Sequence, residues 1–233
     1  MVAIKGLEKF APKDFPGFIA STVFLAGCNF RCPYCHNPDL ILQPDRLADI
    51  PMDLFLAYLD ARKGWLEGVC VTGGEPLLTD DLEGFLSILK AKGLLVKLDT
   101  NGSRPDRLRA VLEAGLADRV ALDVKAPPER YREVTGAKSA DPEAVAQSAE
   151  VLRASGLPYL LRTTVVPGLI DASDIEAIGR WMLGAAVFQI QQFSPVNAMD
   201  EDYRKIRPYG RDEVRRMAAV AEPYFGEVRI EGI

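Results

Sequence analysis

The sequence predicts an α/β protein, an incomplete (β/α)6 barrel in which a parallel sheet carries its helices on the outside. Three observations predict it. Short apolar runs alternate with segments whose apolar residues recur at helical spacing. The runs are almost continuously apolar, as in parallel sheets covered on both faces. Six such βα repeats follow one another from Ile19 to Phe193, fewer than the eight of a closed barrel.

Taken in order, the opening to Gly17 carries scattered charges and two prolines and reads as loosely structured. Ile19–Leu25 is a buried strand stopped by Gly27, followed by a cysteine-bearing loop and an irregular passage with Pro38, Pro44 and Pro51. Met52–Arg62 is the first helix, and Gly68–Thr72 the second strand. Thr79 reads as an N-cap with Asp80 and Asp81 in the first turn of a helix that carries Leu82, Phe85, Leu86 and Leu89 and stops at Gly93. Leu94–Asp99 is a strand, Pro105–Ala114 a helix, and Arg119–Val124 a strand. Pro142–Ala154 is a helix with Asp141 as cap, Pro142 at its first position and Gly156 behind it. Tyr159–Val166, helix Ser173–Leu183, Val187–Phe193, helix Arg211–Ala221 and a last short strand at Val228–Ile230 complete the chain.

The 233 residues suit one sizeable domain, residues 1–233, with a core at about 19–193 and an extension at 194–233. Hydrophobic residues at 48% and charged residues at 26% are those of a globular protein. A net charge of −5 gives no basic surface for nucleic acid or an anionic membrane. No apolar run reaches the roughly 18 residues of a membrane span, and the N-terminus lacks a signal-peptide pattern. A soluble cytoplasmic protein with reduced thiols is expected, with no nucleic-acid or membrane partner.

Three of the four cysteines fall in Cys28-Asn29-Phe30-Arg31-Cys32-Pro33-Tyr34-Cys35, spaced C-x3-C-x2-C. Thiolates packed this closely hold a metal or do redox work. A zinc site with His36 as fourth ligand crowds all four ligands into one loop, whereas structural zinc sites use two separated pairs. Cys32 to His36 spells the haem-attachment motif, which requires export. A dithiol at Cys32 and Cys35 leaves Cys28 unexplained. An iron–sulfur cluster on three cysteines leaves one iron without a protein ligand, an open position where a small molecule can bind.

In parallel α/β folds ligands bind at the C-terminal ends of the strands. There the chain places Gly73-Gly74-Glu75, either a plain turn or a backbone that a cationic group can approach closely. Asp99-Thr100-Asn101-Gly102 contains a turn pair, and Asp123-Val124-Lys125 a polar edge; buried carboxylates there require partners. Arg162 is a lone charge inside an apolar strand and needs an anion, which its fork suits. Gln189 to Pro195 closes the row with Phe193. Cys70 reads as a small buried hydrophobe, and His36 as a residue of loop packing or of ligand contact.

With an aromatic residue before the third cysteine, the loop resembles the signature of the radical S-adenosylmethionine (SAM) superfamily. The resemblance covers residues 19–193. It implies a radical SAM-type open barrel with a 4Fe-4S cluster on Cys28, Cys32 and Cys35, which binds SAM at its unique iron and cleaves it reductively to a 5′-deoxyadenosyl radical. It further implies that Gly73, Gly74 and Glu75 hold the SAM amino group and that Tyr34 covers cluster and adenine. Asp99, Thr100 and Asp123 are expected to form a polar or monovalent-cation site beside the SAM carboxylate, with Asn101 and Lys125 among the cofactor-binding residues, Arg162 to meet the SAM carboxylate, and Phe193 either to pack the adenine or to serve the core.

Lys5-Gly6-Leu7-Glu8-Lys9-Phe10, Asp14 to Gly17 and Gly27 through His36-Asn37-Pro38 resemble the activating proteins of glycyl radical enzymes, most closely those of anaerobic ribonucleoside-triphosphate reductase. A glycyl radical enzyme as protein substrate and a one-electron donor of the flavodoxin or ferredoxin kind are the implied partners. Pyruvate formate-lyase activases carry a histidine where this chain has Pro195-Val196-Asn197. The linkers 126–140 and 196–210 are expected to recognise the partner, with Tyr131 and Tyr203 as its contacts. A radical SAM enzyme acting on a small molecule or on another glycyl radical enzyme, and a zinc-binding scaffold, are the alternatives.

Overall fold

The structure, a computed structural model, describes residues 2–233. The chain divides into two compact units, one made of residues through Cys28, Asp39–Thr100 and Asp106–Val120, the other of Asn29–Pro38, Asn101–Pro105 and Ala121–Ile233.

The first unit holds strands β1 (Ile4–Glu8), β2 (Ala20–Leu25), β3 (Gly68–Gly73) and β4 (Leu95–Thr100), helices α1 (Asp39–Leu42), α2 (Met52–Asp60) and α3 (Leu82–Ala91), and α4 (Pro105–Glu113) except for Pro105. It also contains the first residues of β5 (Arg119–Asp123). β2, β3 and β4 are parallel and in register, which sets Cys70 opposite Lys97. The second unit takes β5 onward through α5 (Tyr131–Thr135), α6 (Pro142–Ser155), β6 (Tyr159–Val165), α7 (Ala172–Trp181), β7 (Val187–Gln192), α8 (Arg211–Ala221) and β8 (Glu227–Glu231). Here β6, β7 and β8 are parallel. Strand order follows chain order within each unit.

The α/β class and the parallel strands are those the sequence predicts. Near-continuous apolar runs produce them, since Val69, Val71, Val96, Leu98, Leu122, Leu161 and Phe188 are all buried. The α6 helix begins where its cap places it: the Asp141 carboxylate accepts a hydrogen bond from the Glu143 amide, and Gly156 ends the helix at φ 71°.

Four expectations are corrected. Ile4–Glu8 in the opening is not loose but pairs antiparallel with β2; Met1, part of that opening, lies outside the described residues. Thr79 follows a 3-10 turn, and the residue before α3 is Asp81. The passage after the cysteines contains the short helix α1. The 126–140 linker contains α5, which buries Tyr131 completely, with its ring edge-on to Phe30 and Trp181.

Candidate functional site

In the first unit, the end of β2 runs beside the turn after β3. The Gly74 amide donates to the Leu25 carbonyl at 2.9 Å and the Glu75 amide to the Gly27 carbonyl at 2.7 Å. A Cβ on Gly74 would lie 1.8 Å from the Gly27 oxygen, and one on Gly73, whose φ is 122°, would lie 2.3 Å from the Leu25 amide nitrogen. The glycine pair is therefore required by the approach of the chain's own backbone on its way to Cys28, whatever else it binds. Glu75 is buried, and its Oε1 accepts from the Leu77 amide at 3.0 Å and from Thr100 Oγ1 at 2.7 Å.

Asp99, two residues after Lys97 on the same face of β4, forms a buried ion pair with the Lys97 ammonium. The Cys70 thiol donates to Asp99 Oδ1 at 3.6 Å and lies 3.7 Å from the Lys97 ammonium, so Cys70 is more than a small hydrophobe. Lys97 is the residue the sequence reading passed over. The Lys-Leu-Asp spacing carried the signal, since residues two apart in a strand share a face.

In the second unit, the cysteine loop is tied down by backbone. The Arg31 amide donates to the Thr135 carbonyl at 2.8 Å, the Cys35 amide to the Cys32 carbonyl at 3.0 Å, and the Asp200 amide to the Pro33 carbonyl at 2.9 Å. His36 Nε2 lies 2.9 Å from the Ser194 oxygen, the loop-packing role expected of it. Gly136, at φ 59°, leaves room for the loop: a Cβ there would meet the Arg31 oxygen at 2.6 Å. Asn101 Nδ2 donates to Asn29 Oδ1 at 2.9 Å, while its own Oδ1 takes the Ser103 amide.

The same unit gathers Asp123, Lys125 and Arg162. Arg162 Nε donates to Asp123 Oδ1 at 2.6 Å, and the Lys125 ammonium to Asp123 Oδ2 at 2.9 Å. Asp123 thus accepts from two cations at once. Burial alone would raise the Asp123 pKa, but Arg162 and Lys125 outweigh it and hold the carboxyl well below the usual carboxylate range. A depressed folded-state pKa makes this ion set stabilising above the unfolded value, about 4. That contribution is lost as pH falls through the folded pKa, so acid titration of wild type followed by circular dichroism should show a limb below about pH 4 that is weaker in Asp123→Asn.

Tyr34 is 4% exposed, and its hydroxyl has no hydrogen-bond partner. Burial, then the nearby Cys32 and Asp123, push its pKa well up, so the hydroxyl stays protonated as a donor. Burial pushes the Cys35 thiol up, against the pull of the Asn37 backbone and of Lys125. Phe193 is buried at 1% exposure.

All four cysteines are free thiols. Among the described residues, no three His, Cys, Asp or Glu side chains are already gathered as a metal site. The residues nevertheless suit an iron–sulfur cluster in their chemistry. Three soft thiol donors share one loop, and the Lys125 ammonium lies within electrostatic range of Cys32, where it opposes the negative charge of a thiolate-bound cluster. SAM also fits, because the Arg162 fork and the Lys125 ammonium suit its carboxylate and the Tyr34 hydroxyl is a buried donor without an acceptor. Asp99 is paired with Lys97, and Asp123 with Lys125 and Arg162.

The family model described as Radical SAM superfamily matches residues 22–182. A Methanocaldococcus jannaschii protein whose name provisionally assigns it as a glycyl-radical enzyme activating enzyme is 30% identical over 237 residues, 99% of this chain and 96% of that protein. The pyruvate formate-lyase-activating enzyme of Streptococcus mutans is 31% identical over 210 residues, 85% of this chain and 78% of that one. Among solved structures, Streptococcus suis SuiB bound to S-adenosylmethionine superposes with a TM-score of 0.67 at 17% identity, over 88% of this chain and 48% of that chain. TYW1 with a lysine-pyruvate adduct superposes with a TM-score of 0.63 at 16% identity, over 90% of this chain and 76% of that chain. These two share the fold. Among the described residues, no helix is long and apolar enough to cross a membrane.

Proposed function

Since the chain belongs to the radical SAM superfamily, with glycyl-radical-enzyme activating enzymes among its relatives, we propose that it installs a glycyl radical on anaerobic ribonucleoside-triphosphate reductase. One observation carries the site: Tyr34 and Cys32, on the cysteine loop, lie within electrostatic range of Asp123 and Lys125, the ion set that Arg162 completes.

In this reading Cys28, Cys32 and Cys35 hold the cluster. When bound, cluster and SAM supply one electron and a 5′-deoxyadenosyl radical, which takes a hydrogen atom from a glycine Cα. Arg162 and Lys125 would hold the SAM carboxylate by charge-assisted hydrogen bonds, and the Tyr34 hydroxyl would donate to it. Gly73, Gly74 and Glu75 receive the amino group, with the Glu75 carboxylate held in place by Thr100 and Leu77. Phe193 supports the adenine end, and Asn101 steadies the cysteine loop through Asn29. A flavodoxin or ferredoxin of the cytoplasm delivers the electron.

The partner assignment rests on the resemblance of Lys5 to Phe10, Asp14 to Gly17 and Cys35-His36-Asn37-Pro38, and the absence of histidine near Pro195-Val196-Asn197, His36 being the chain's only one, argues against pyruvate formate-lyase. Tyr131, fully buried, cannot meet a partner. Tyr203 is half-buried between exposed Asp202 and Arg204, in the segment whose Asp200 amide holds Pro33. Replacing Tyr203 with Ala should lower partner activation by roughly tenfold, the size of one lost contact residue, and leave partner-free SAM cleavage intact; equal loss of both would remove Tyr203 from the interface.

The test is anaerobic. The reconstituted protein, SAM and a strong reductant are mixed with an anaerobic ribonucleoside-triphosphate reductase, and 5′-deoxyadenosine and the glycyl-radical electron paramagnetic resonance doublet are measured together. Both signals should rise in step. Nucleoside without the doublet would overturn the partner, and a doublet on pyruvate formate-lyase instead would replace it.

A further inference from the structure

We infer that Lys97 supplies from within the chain a positive charge to Asp99, so that this site takes up no inorganic monovalent cation. Only the reason for expecting a cation rests on the proposed function; the ion pair stands without it.

Lys97 and Asp99 stand two residues apart on β4, with side chains 3% and 8% exposed. A carboxylate buried to this degree persists as an anion only beside a cation. The chain provides one on the same strand face, and the register of β3 adds Cys70 opposite Lys97. Cys70 completes the arrangement, its sulfur 3.7 Å from the ammonium while its proton points to Asp99 Oδ1 at 3.6 Å. Potassium or sodium at this place would exchange an ammonium hydrogen bond for a contact with a thiol, a poor ligand for a hard cation. It would also sit against the Lys97 charge in a low-dielectric setting. In the other unit Asp123 is likewise held, by Lys125 and Arg162. Both carboxylates that would otherwise recruit a cation therefore carry tethered ones.

A tethered cation cannot dissociate, and a free one stabilises only by mass action. The experiment is thermal unfolding of the reconstituted full-length protein in potassium, sodium or ammonium chloride and in choline chloride at matched ionic strength, for wild type and Lys97→Met. The wild-type midpoint should agree across the four salts within about 1 °C. Lys97→Met should melt roughly 5–15 °C lower in choline chloride, as expected when a buried charge loses its partner, and should recover saturably as potassium or ammonium is added. The double variant Lys97→Met/Asp99→Asn should lose that recovery. A saturable rise of the wild-type midpoint with an inorganic cation overturns the inference, as does a Lys97→Met protein that folds and that no cation restores. If Lys97→Met does not fold, the wild-type comparison decides alone. The readout is independent of SAM, so failure of the activase reading, seen as no nucleoside in any salt, leaves this result unchanged.

Discussion

Cys32→Ala is expected to lower 5′-deoxyadenosine formation from SAM by roughly 1000-fold or more, about 4 kcal/mol of lost transition-state stabilisation. Cys32 is the most buried thiol of the loop, 7% exposed, and its backbone carbonyl anchors the Cys35 amide at 3.0 Å. Those backbone interactions survive the substitution, and removing one sulfur from a buried site costs about 1 kcal/mol. The variant should therefore stay folded by circular dichroism while iron content and the brown absorbance of the reconstituted protein collapse. A Cys32→Ala protein that keeps both colour and product would rule out the three-cysteine cluster.

Arg162→Ala should raise KM for SAM by roughly 10- to 100-fold, the value of one charge-assisted hydrogen bond to a carboxylate. The guanidinium fork is lost with the substitution, and the remaining Lys125 is paired with Asp123. Asp123 is not stranded by the change, since Lys125 still donates to its Oδ2 at 2.9 Å. The fall in thermal midpoint should thus be small beside the loss of substrate affinity. Arg162→Lys, which keeps the charge and loses the fork, should fall between the two. Steady-state kinetics with SAM as the varied substrate checks this, and an unchanged KM would take Arg162 out of the SAM site.

The readability of the chain followed the range of the forces involved. Strands such as Val69–Val71 and helices such as α8, matched residue for residue at Arg211–Ala221, announce themselves through local periodicity. Arg162 was visible because one charge in an apolar strand must have a partner, and Asp123 is that partner. β1 was not visible. Lys5, Gly6 and Glu8 break up its apolar residues, and its place depends on pairing with β2, with a register shift between Ile4 and Gly6. Tyr131 read as a linker contact because α5 is one short turn fixed by packing against Phe30 and Trp181, which lie far apart in the chain. At Thr79, three adjacent candidates for one cap, Thr79, Asp80 and Asp81, could not be ranked by residue type alone. The Lys97 pairing was legible in Lys-Leu-Asp, but the third member needed the register of β3.

The stitching of the cysteine loop bears on how the protein matures. Thr135, Ser194 and Asp200, none of which offers a thiol, fix the loop's path through backbone atoms at Arg31, Pro33 and the His36 ring. These hydrogen bonds help offset the entropy of ordering residues 29–38. Gly136, which grants the Arg31 carbonyl its space, then belongs to the assembly of the cofactor as much as to the fold.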